Sequence, residues 1–299
     1  ATRTKQRQFS SAFFLYKEAL KRAPQMRGLH AGLAEVYRES GHADWAAVEQ
    51  QREQKLGAPD CAMSKLECDY GAGRYSEVAA AAKTKTAEAY YWRSRAYNEL
   101  ATAAFGKLMQ LPPSVESHEF MAEVHRNQRR YKEAVEELRK ALEKSGGSPR
   151  IEVELARAMH QATDFEAARG LLSKLLKLEP DSAELNFLMG DSLLNLQKAQ
   201  EAVSYLSKAV QKDGRMLAAH ASLARAYMQT GGDAKAIPHL KAALPLDTDG
   251  SMHYQLARAY QGSGQAELAR ETLARYQKIS AKDKAEKESL EQDMQITAP

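Results

Sequence analysis

The chain has 299 residues, 43% of them apolar and 27% charged, and 43 basic against 39 acidic side chains leave a net charge of +4. It is long enough to bury a large core, and its mixed charge gives no electrostatic footprint for nucleic acid or a membrane surface. No apolar run approaches the roughly 18 to 20 residues that span a bilayer, no signal-peptide pattern is present, and two cysteines are too few for a disulfide scaffold.

In chain order, RQFSSAFFLYKEALKRAPQ (7–25) predicts a helix with Phe9, Ala12, Phe13 and Tyr16 on one face. A helix bearing Leu33, Ala34 and Tyr37 follows, then one bearing Ala46. The pattern turns irregular over 60–114: the stretch from Asp60 ends early at KTKT (83–86). From Tyr90 to Leu111 no cluster of Gly, Pro or cap residues intervenes, so either one long helix or two meeting near Asn98-Glu99 fits. Regularity returns over 115–280. There Leu223, Ala224 and Tyr227 share one helix face, Gly231-Gly232 breaks the helix and Asp233 is placed to cap the next. That helix buries Ala236, Leu240 and Ala243, and Pro238 inside it predicts one lost backbone hydrogen bond and a mild kink. SAKDKAEKESLEQDMQ (280–295) has no breaker and extends the last helix as a charged, solvated cap, with Leu290 and Met294 as its apolar contacts.

Alanine organises the whole. Ala12, Ala46, Ala79, Ala101, Ala134, Ala168, Ala202, Ala236 and Ala269 stand at intervals of 34, 33, 22, 33, 34, 34, 34 and 33. A fixed period of this length marks a solenoid of stacked units, none of which buries its apolar face alone. Four residues after most of these alanines comes a bulky apolar side chain: Tyr16, Phe105, Leu138, Leu172, Leu206, Leu240, Leu273. Upstream, a Leu or Met, a small residue and, three on, a large one recur in Leu33-Ala34-Tyr37, Met121-Ala122-His125, Met189-Gly190-Leu193, Leu223-Ala224-Tyr227 and Leu256-Ala257-Tyr260. Pro24, Pro113 and Pro180 close three units.

This order resembles the tetratricopeptide repeat, over about residues 9–280, and AEAYYWRSRAY (87–97) is similar to that family's first helix. The resemblance implies an all-α, right-handed superhelical solenoid of about eight helix pairs. Residues 1–26 are then an orphan second helix, 27–59 one repeat, 60–114 two shortened repeats, 115–280 five regular repeats, and 281–299 a capping helix and tail. It also implies a bacterial-type, non-catalytic scaffold or adaptor, holding a protein or peptide segment in a concave groove lined by the first helices. A structural accessory subunit of a larger enzyme or of a secretion or envelope complex is the alternative. Long proteins of this kind are often exported, and the chain begins with Ala1, so an exported or periplasmic location is favoured over the cytoplasm.

HEFMAEVH (118–125) looks like a metal helix, but a zinc-protease helix needs His-Glu-x-x-His, whose side chains at i and i+4 converge on one ion. Residues seven apart are separated by about 10.5 Å of helix. In the repeat frame His30, His118, His220 and His253 occupy the first aromatic slot and His125 the tyrosine slot, so all five are read as packing positions. No metal, cofactor or catalytic residue is assigned, because phosphate-loop, nucleophile-elbow and dinucleotide motifs are missing. One helix carrying both Cys61 and Cys68 would hold their Cα atoms too far apart for a bond. That favours two free thiols, unless Pro59-Asp60 delays the helix start.

The resemblance places the residue after each small slot on the concave face: Glu35, Cys68, Arg95, Glu123, Arg157, Asp191, Arg225, Arg258. Signs alternate from Arg95 to Arg225, and packed helices lie about 8 to 10 Å apart, so an internal salt-bridge ladder is expected. Arg225 and Arg258 break the alternation. An anionic group on a partner would relieve their repulsion, with Gln229 and Tyr254 alongside. Phe9, Phe13 and Tyr16 lack cover from a missing first helix and form a second candidate face, for docking into a larger complex. The clamp of lysines, arginine and asparagines that one subclass uses on chaperone C-termini is replaced here by glutamates, alanines and serines.

Overall fold

A computed structural model describes residues 2–81 and 86–299, with side chains from Phe9 onward in the first helix. Lys83, Thr84 and Lys85 of the KTKT stretch lie outside the described residues. Among the described residues there are sixteen α-helices, one 3₁₀ turn and no strand. They form two units, residues 1–110 with 285–299, and residues 111–284. The first holds α1 (Thr2–Arg22), α2 (Leu29–Glu39), α3 (Ala43–Lys55), α4 (Lys65–Gly71), α5 (Tyr75–Ala80) and α6 (Ala87–Leu108). The second holds α7 (Val115–Asn127), α8 (Tyr131–Lys144), α9 (Pro149–Gln161), α10 (Phe165–Leu178), α11 (Ala183–Asn195) and α12 (Ala199–Lys212). It continues with α13 (Leu217–Gln229), α14 (Asp233–Ala243), α15 (Ser251–Gly262) and the start of α16 (Ala266–Asp293).

A single device makes each helix pair. One residue between the two helices is left-handed: Gly41, Gly73, Arg129, Thr163, Gln197, Gly231 or Gly264, with φ between 58° and 92°. The N–H that follows it reaches back to a carbonyl five residues earlier: His42 to Tyr37, Arg74 to Asp69, Arg130 to His125, Asp164 to Met159, Lys198 to Leu193, Gly232 to Tyr227 and Gln265 to Tyr260, at 2.7–3.0 Å. This closure satisfies carbonyls that a helix C-terminus would otherwise leave open. In the turn after Tyr227 the sequence expectation shifts by one residue: Gly232 is the N-cap and Asp233 begins α14.

No left-handed residue falls within α6, which therefore runs undivided for 22 residues. Residues 60–114 hold one short pair, α4–α5, and one single helix in place of two shortened repeats. Ala101, which ends the short alanine interval, lies exposed within α6. Pro238 stands inside α14, where the sequence placed it.

Small residues let paired helices approach closely. Ala34, Ala96, Ala122, Ala156, Ala224 and Ala257 are all buried, and a Cβ added at Gly190 would lie 2.5 Å from Leu206 Cγ. The periodic alanines Ala46, Ala79, Ala134, Ala168, Ala202 and Ala236 are buried as well. In the second unit the resulting core runs continuously from α7 to α13.

Two expectations are corrected. Cys61 and Cys68 form a disulfide, with Cα atoms 5.7 Å apart. The helix start is delayed past Pro59-Asp60, so Cys61 lies in the turn before α4 and only Cys68 is helical. The N-terminal aromatic face is also partly covered, with Phe9 and Tyr16 half-buried. Phe13 is only 2% exposed, its ring centroid 5.9 Å from that of Tyr37. Phe9, Tyr16 and Trp45 pack on the same cluster, together with Ile296 from the chain's other end. Tyr16 also lies against Gly32, where any Cβ would collide with its ring.

Candidate interaction groove

The slot that holds an aromatic in the family pattern is polar in most of these repeats, and its occupants are paired. His30 Nδ1 lies 2.5 Å from Glu49, whose carboxylate also takes Arg52. His118 Nδ1 lies 2.7 Å from Glu137, and His220 Nδ1 2.9 Å from His239 Nδ1. In all three the partner lies nineteen residues on, in the second helix of the pair. His253 pairs with Asp247 instead. His30, His118 and His220 thus join the two helices of their own pairs, while His253 ties its helix to the preceding loop. Among the described residues no group of three metal-ligating side chains occurs.

Ion pairs run from helix to helix across the second unit, though not along the expected ladder. Glu123 pairs with Arg126 of its own helix, and Arg126 reaches Glu154 at 3.2 Å. Glu154 holds Arg157 at 2.7 Å, and Arg157 then reaches Glu184 at 2.5 Å. Arg157 does not meet Asp191. Arg126 and Glu154, three residues from the predicted Glu123 and Arg157, take over, and sequence reasoning could have found these two by testing i,i+3 pairs along each first helix.

Asp191 is a hub. Its carboxylate accepts from His160 Nε2 at 2.9 Å, Ser222 Oγ at 2.6 Å and Arg225 Nη2 at 2.9 Å, tying α9, α11 and α13 together. Burial pushes its carboxyl up, but the bonds from His160 and Ser222 and the Arg225 guanidinium outweigh this and hold it below the ordinary carboxylate value.

The network stops at Arg225. Arg258 is exposed, and no acidic side chain among the described residues pairs with it. Between α13 and α15 lies an open cleft of about 760 Å3, lined by Arg225, Met228, Gln229, Tyr254, Gln255 and Arg258. Four of the predicted site residues, Arg225, Gln229, Tyr254 and Arg258, meet there. Asp233 also lines the cleft, with its carboxylate against Gly262. Arg225 keeps 42% of its side chain exposed despite its bond to Asp191. Glu123 lines a separate, smaller cleft with Arg126 and Glu154.

In the first unit Glu35 is exposed on α2, and Cys68 is spent in the disulfide. Arg95 lies over the rings of Tyr70, Tyr91 and Trp92 and donates to Tyr91 Oη at 3.0 Å.

Helix pairs closed by a recurring left-handed turn and stacked through small residues define an all-α helical-repeat protein. Models of the Tetratricopeptide repeat match residues 126–191 and 193–254, and again 250–283. The chain belongs to the tetratricopeptide repeat family and is, in that family's general sense, a protein-interaction scaffold. Comparison with curated proteins gives no match. Among solved structures, MamA 41-end from Desulfovibrio magneticus RS-1 is 18% identical with a TM-score of 0.51, covering 56% of this chain and 96% of its own. A MamA RS-1 ArsTM double mutant is also 18% identical, with a TM-score of 0.50 and coverages of 56% and 95%. At such identity the likeness is one of fold. No helix among the described residues is long and apolar enough to cross a membrane.

Proposed function

We propose that this chain is a non-catalytic scaffold that holds an acidic segment of a partner protein in the cleft between α13 and α15. The observation that carries this reading is the surplus of positive charge at the end of the ion-pair network: Arg225 and Arg258 face one cleft, which also holds the Asp233 carboxylate, and of the two arginines only Arg225 is ion-paired among the described residues. A carboxylate between them would make charge-assisted hydrogen bonds, about twice as strong as neutral ones. Gln229 and Gln255 offer amides for a peptide backbone, and half-exposed Tyr254 offers a ring. The alternative, an accessory subunit docking through Phe9, Phe13 and Tyr16, has less support, because Phe13 is buried and Phe9 and Tyr16 are half-buried in the first unit. The disulfide favours an oxidising compartment, and with it an exported location.

The test is a selection of random peptides on the intact protein. Enriched peptides are expected to carry Asp, Glu or a recruited C-terminal carboxylate, and to bind at least tenfold more weakly to an Arg225→Ala, Arg258→Ala double variant. Peptides without any acidic group, or with equal affinity for the variant, would refute the reading.

A further inference from the structure

In the first unit the α1–α2 cluster is met by a segment distant in sequence. Tyr37 sits in the tyrosine slot of α2 with no exposed surface at all. Its hydroxyl donates to the backbone carbonyl of Thr297, 260 residues away, at 2.7 Å. One residue earlier, Ile296 packs on the cluster of Phe13, Leu33 and Tyr37. Around these two contacts Gln295, Thr297, Ala298 and Pro299 are exposed, as are residues 284–293 of α16 that lead to them. The segment's contacts include one apolar side chain and one backbone carbonyl, and Met294 is half-buried beside them.

That is the way a helical-repeat surface grips an extended peptide: a pocket for a side chain, with a polar group fixing the main chain beside it. The pocket is made by α1, α2 and Trp45 of α3, with Phe13 tilted against Tyr37 and Trp45 edge-on to it. The Tyr37 hydroxyl, buried in the presence of the segment, takes its hydrogen-bond partner from the segment's main chain. We propose that the α1–α2 surface is a peptide-binding site whose resident ligand is the chain's own segment 294–299, acting as a strap that a competing segment of like chemistry must displace. Such a competitor is extended, with a β-branched aliphatic side chain followed by a free main-chain carbonyl. Tethering gives the strap an effective concentration on the order of millimolar, so a competitor in solution meets a site that is mostly filled. This surface is separate from the arginine cleft, and neither proposal depends on the other.

The experiment uses a fluorescein-labelled peptide of residues 291–299, read by anisotropy against the full chain and against a chain ending at Asp293. The shortened chain is expected to bind it saturably, and the full chain at least tenfold more weakly. Tyr37→Phe in the shortened chain should weaken binding further. If the shortened chain loses helical signal, Ile296→Asp in the full chain takes its place. No saturable binding by a folded, strap-free chain, or equal binding with and without the strap, would overturn the proposal. Light scattering supplies a further check: a dimer that dissociates on Ile296→Asp would put the strap on a second copy and overturn its assignment to its own chain.

Discussion

His220 on α13 and His239 on α14 place their Nδ1 atoms 2.9 Å apart, where His30 and His118 each meet a carboxylate at the same sequence offset. A carboxylate partner favours a charged imidazole; a second imidazole does not. His220 Nε2 also faces the Gly214 carbonyl at 3.2 Å, and the Tyr227 ring stacks on His239. Burial, and then the neighbouring His220, push His239 below its ordinary value of 6.5. The native state therefore takes up this proton later than the unfolded chain does as the pH falls. Stability from this source is full above the unfolded value and is lost as the pH drops through the lower folded one. Melting temperature should fall between about pH 7.5 and about pH 5.5, the range in which histidine changes charge, and His239→Gln should flatten that fall. An unchanged slope in the variant would contradict the assignment.

The turns offer a sharper test of the folding rule. Four of the seven pair-closing residues are glycine, but Arg129, Thr163 and Gln197 hold left-handed backbone at φ 58°, 60° and 61°. A β-branched side chain is the least suited to this region. Thr163→Gly should stabilise the second unit by about 1 kcal/mol, the strain released less the chain entropy that glycine brings. Gly231→Thr should destabilise it by a similar amount. Denaturant midpoints by circular dichroism decide; a lower midpoint for Thr163→Gly would show that the Thr163 side chain does more than tolerate the turn.

The disulfide can be followed separately from the rest of the chain. Trp45 and Trp92, the two tryptophans of the sequence, both lie in the first unit, so their fluorescence reports on that unit. The bond closes a short loop from Cys61 to Cys68, and closing such a loop restricts the unfolded chain by about 2 to 3 kcal/mol. Reduction, or Cys61→Ser with Cys68→Ser, should lower the tryptophan-detected midpoint and leave the transition of residues 111–284 in place. Coincident shifts of both transitions would mean that the units unfold together.

How far the sequence speaks depends on the range of the interaction. The alanine period, the small slots and the turns are local, set by residues within one repeat, and Leu223-Ala224-Tyr227 followed by Gly231 announces its helix and its end. The undivided α6 was one of two readings because the deciding feature is a turn that is missing. The disulfide was missed because a one-turn shift in the start of α4 decides whether Cys61 reaches Cys68. Within the groove, Arg225, Gln229, Tyr254 and Arg258 were legible since they follow the repeat register on neighbouring first helices. Arg157 escaped to Glu184 because a long side chain chooses among several acids that register alone does not rank. The cover over Phe13 was illegible in principle: nothing local in α1 points to Ile296 at the far end of the chain.

Gly190 tests whether helix spacing in the array is set by the small slot. It is the glycine among alanines at that position, and α11 meets α12 closely there: an added Cβ would lie 2.5 Å from Leu206 Cγ and 3.2 Å from the Leu206 backbone nitrogen. Leu206 has no exposed surface. Gly190→Ala gains helix propensity of about 1 kcal/mol, yet overpacking a closed core costs about 1 to 3 kcal/mol. Because the backbone of α12 is also close, the steric cost should win and the denaturant midpoint should fall. Gly190→Ala with Leu206→Ala should recover part of that loss relative to Leu206→Ala alone, because the larger side chain is then gone. A midpoint that rises in the single variant would mean that the two helices can separate freely, and that the slot does not fix their distance.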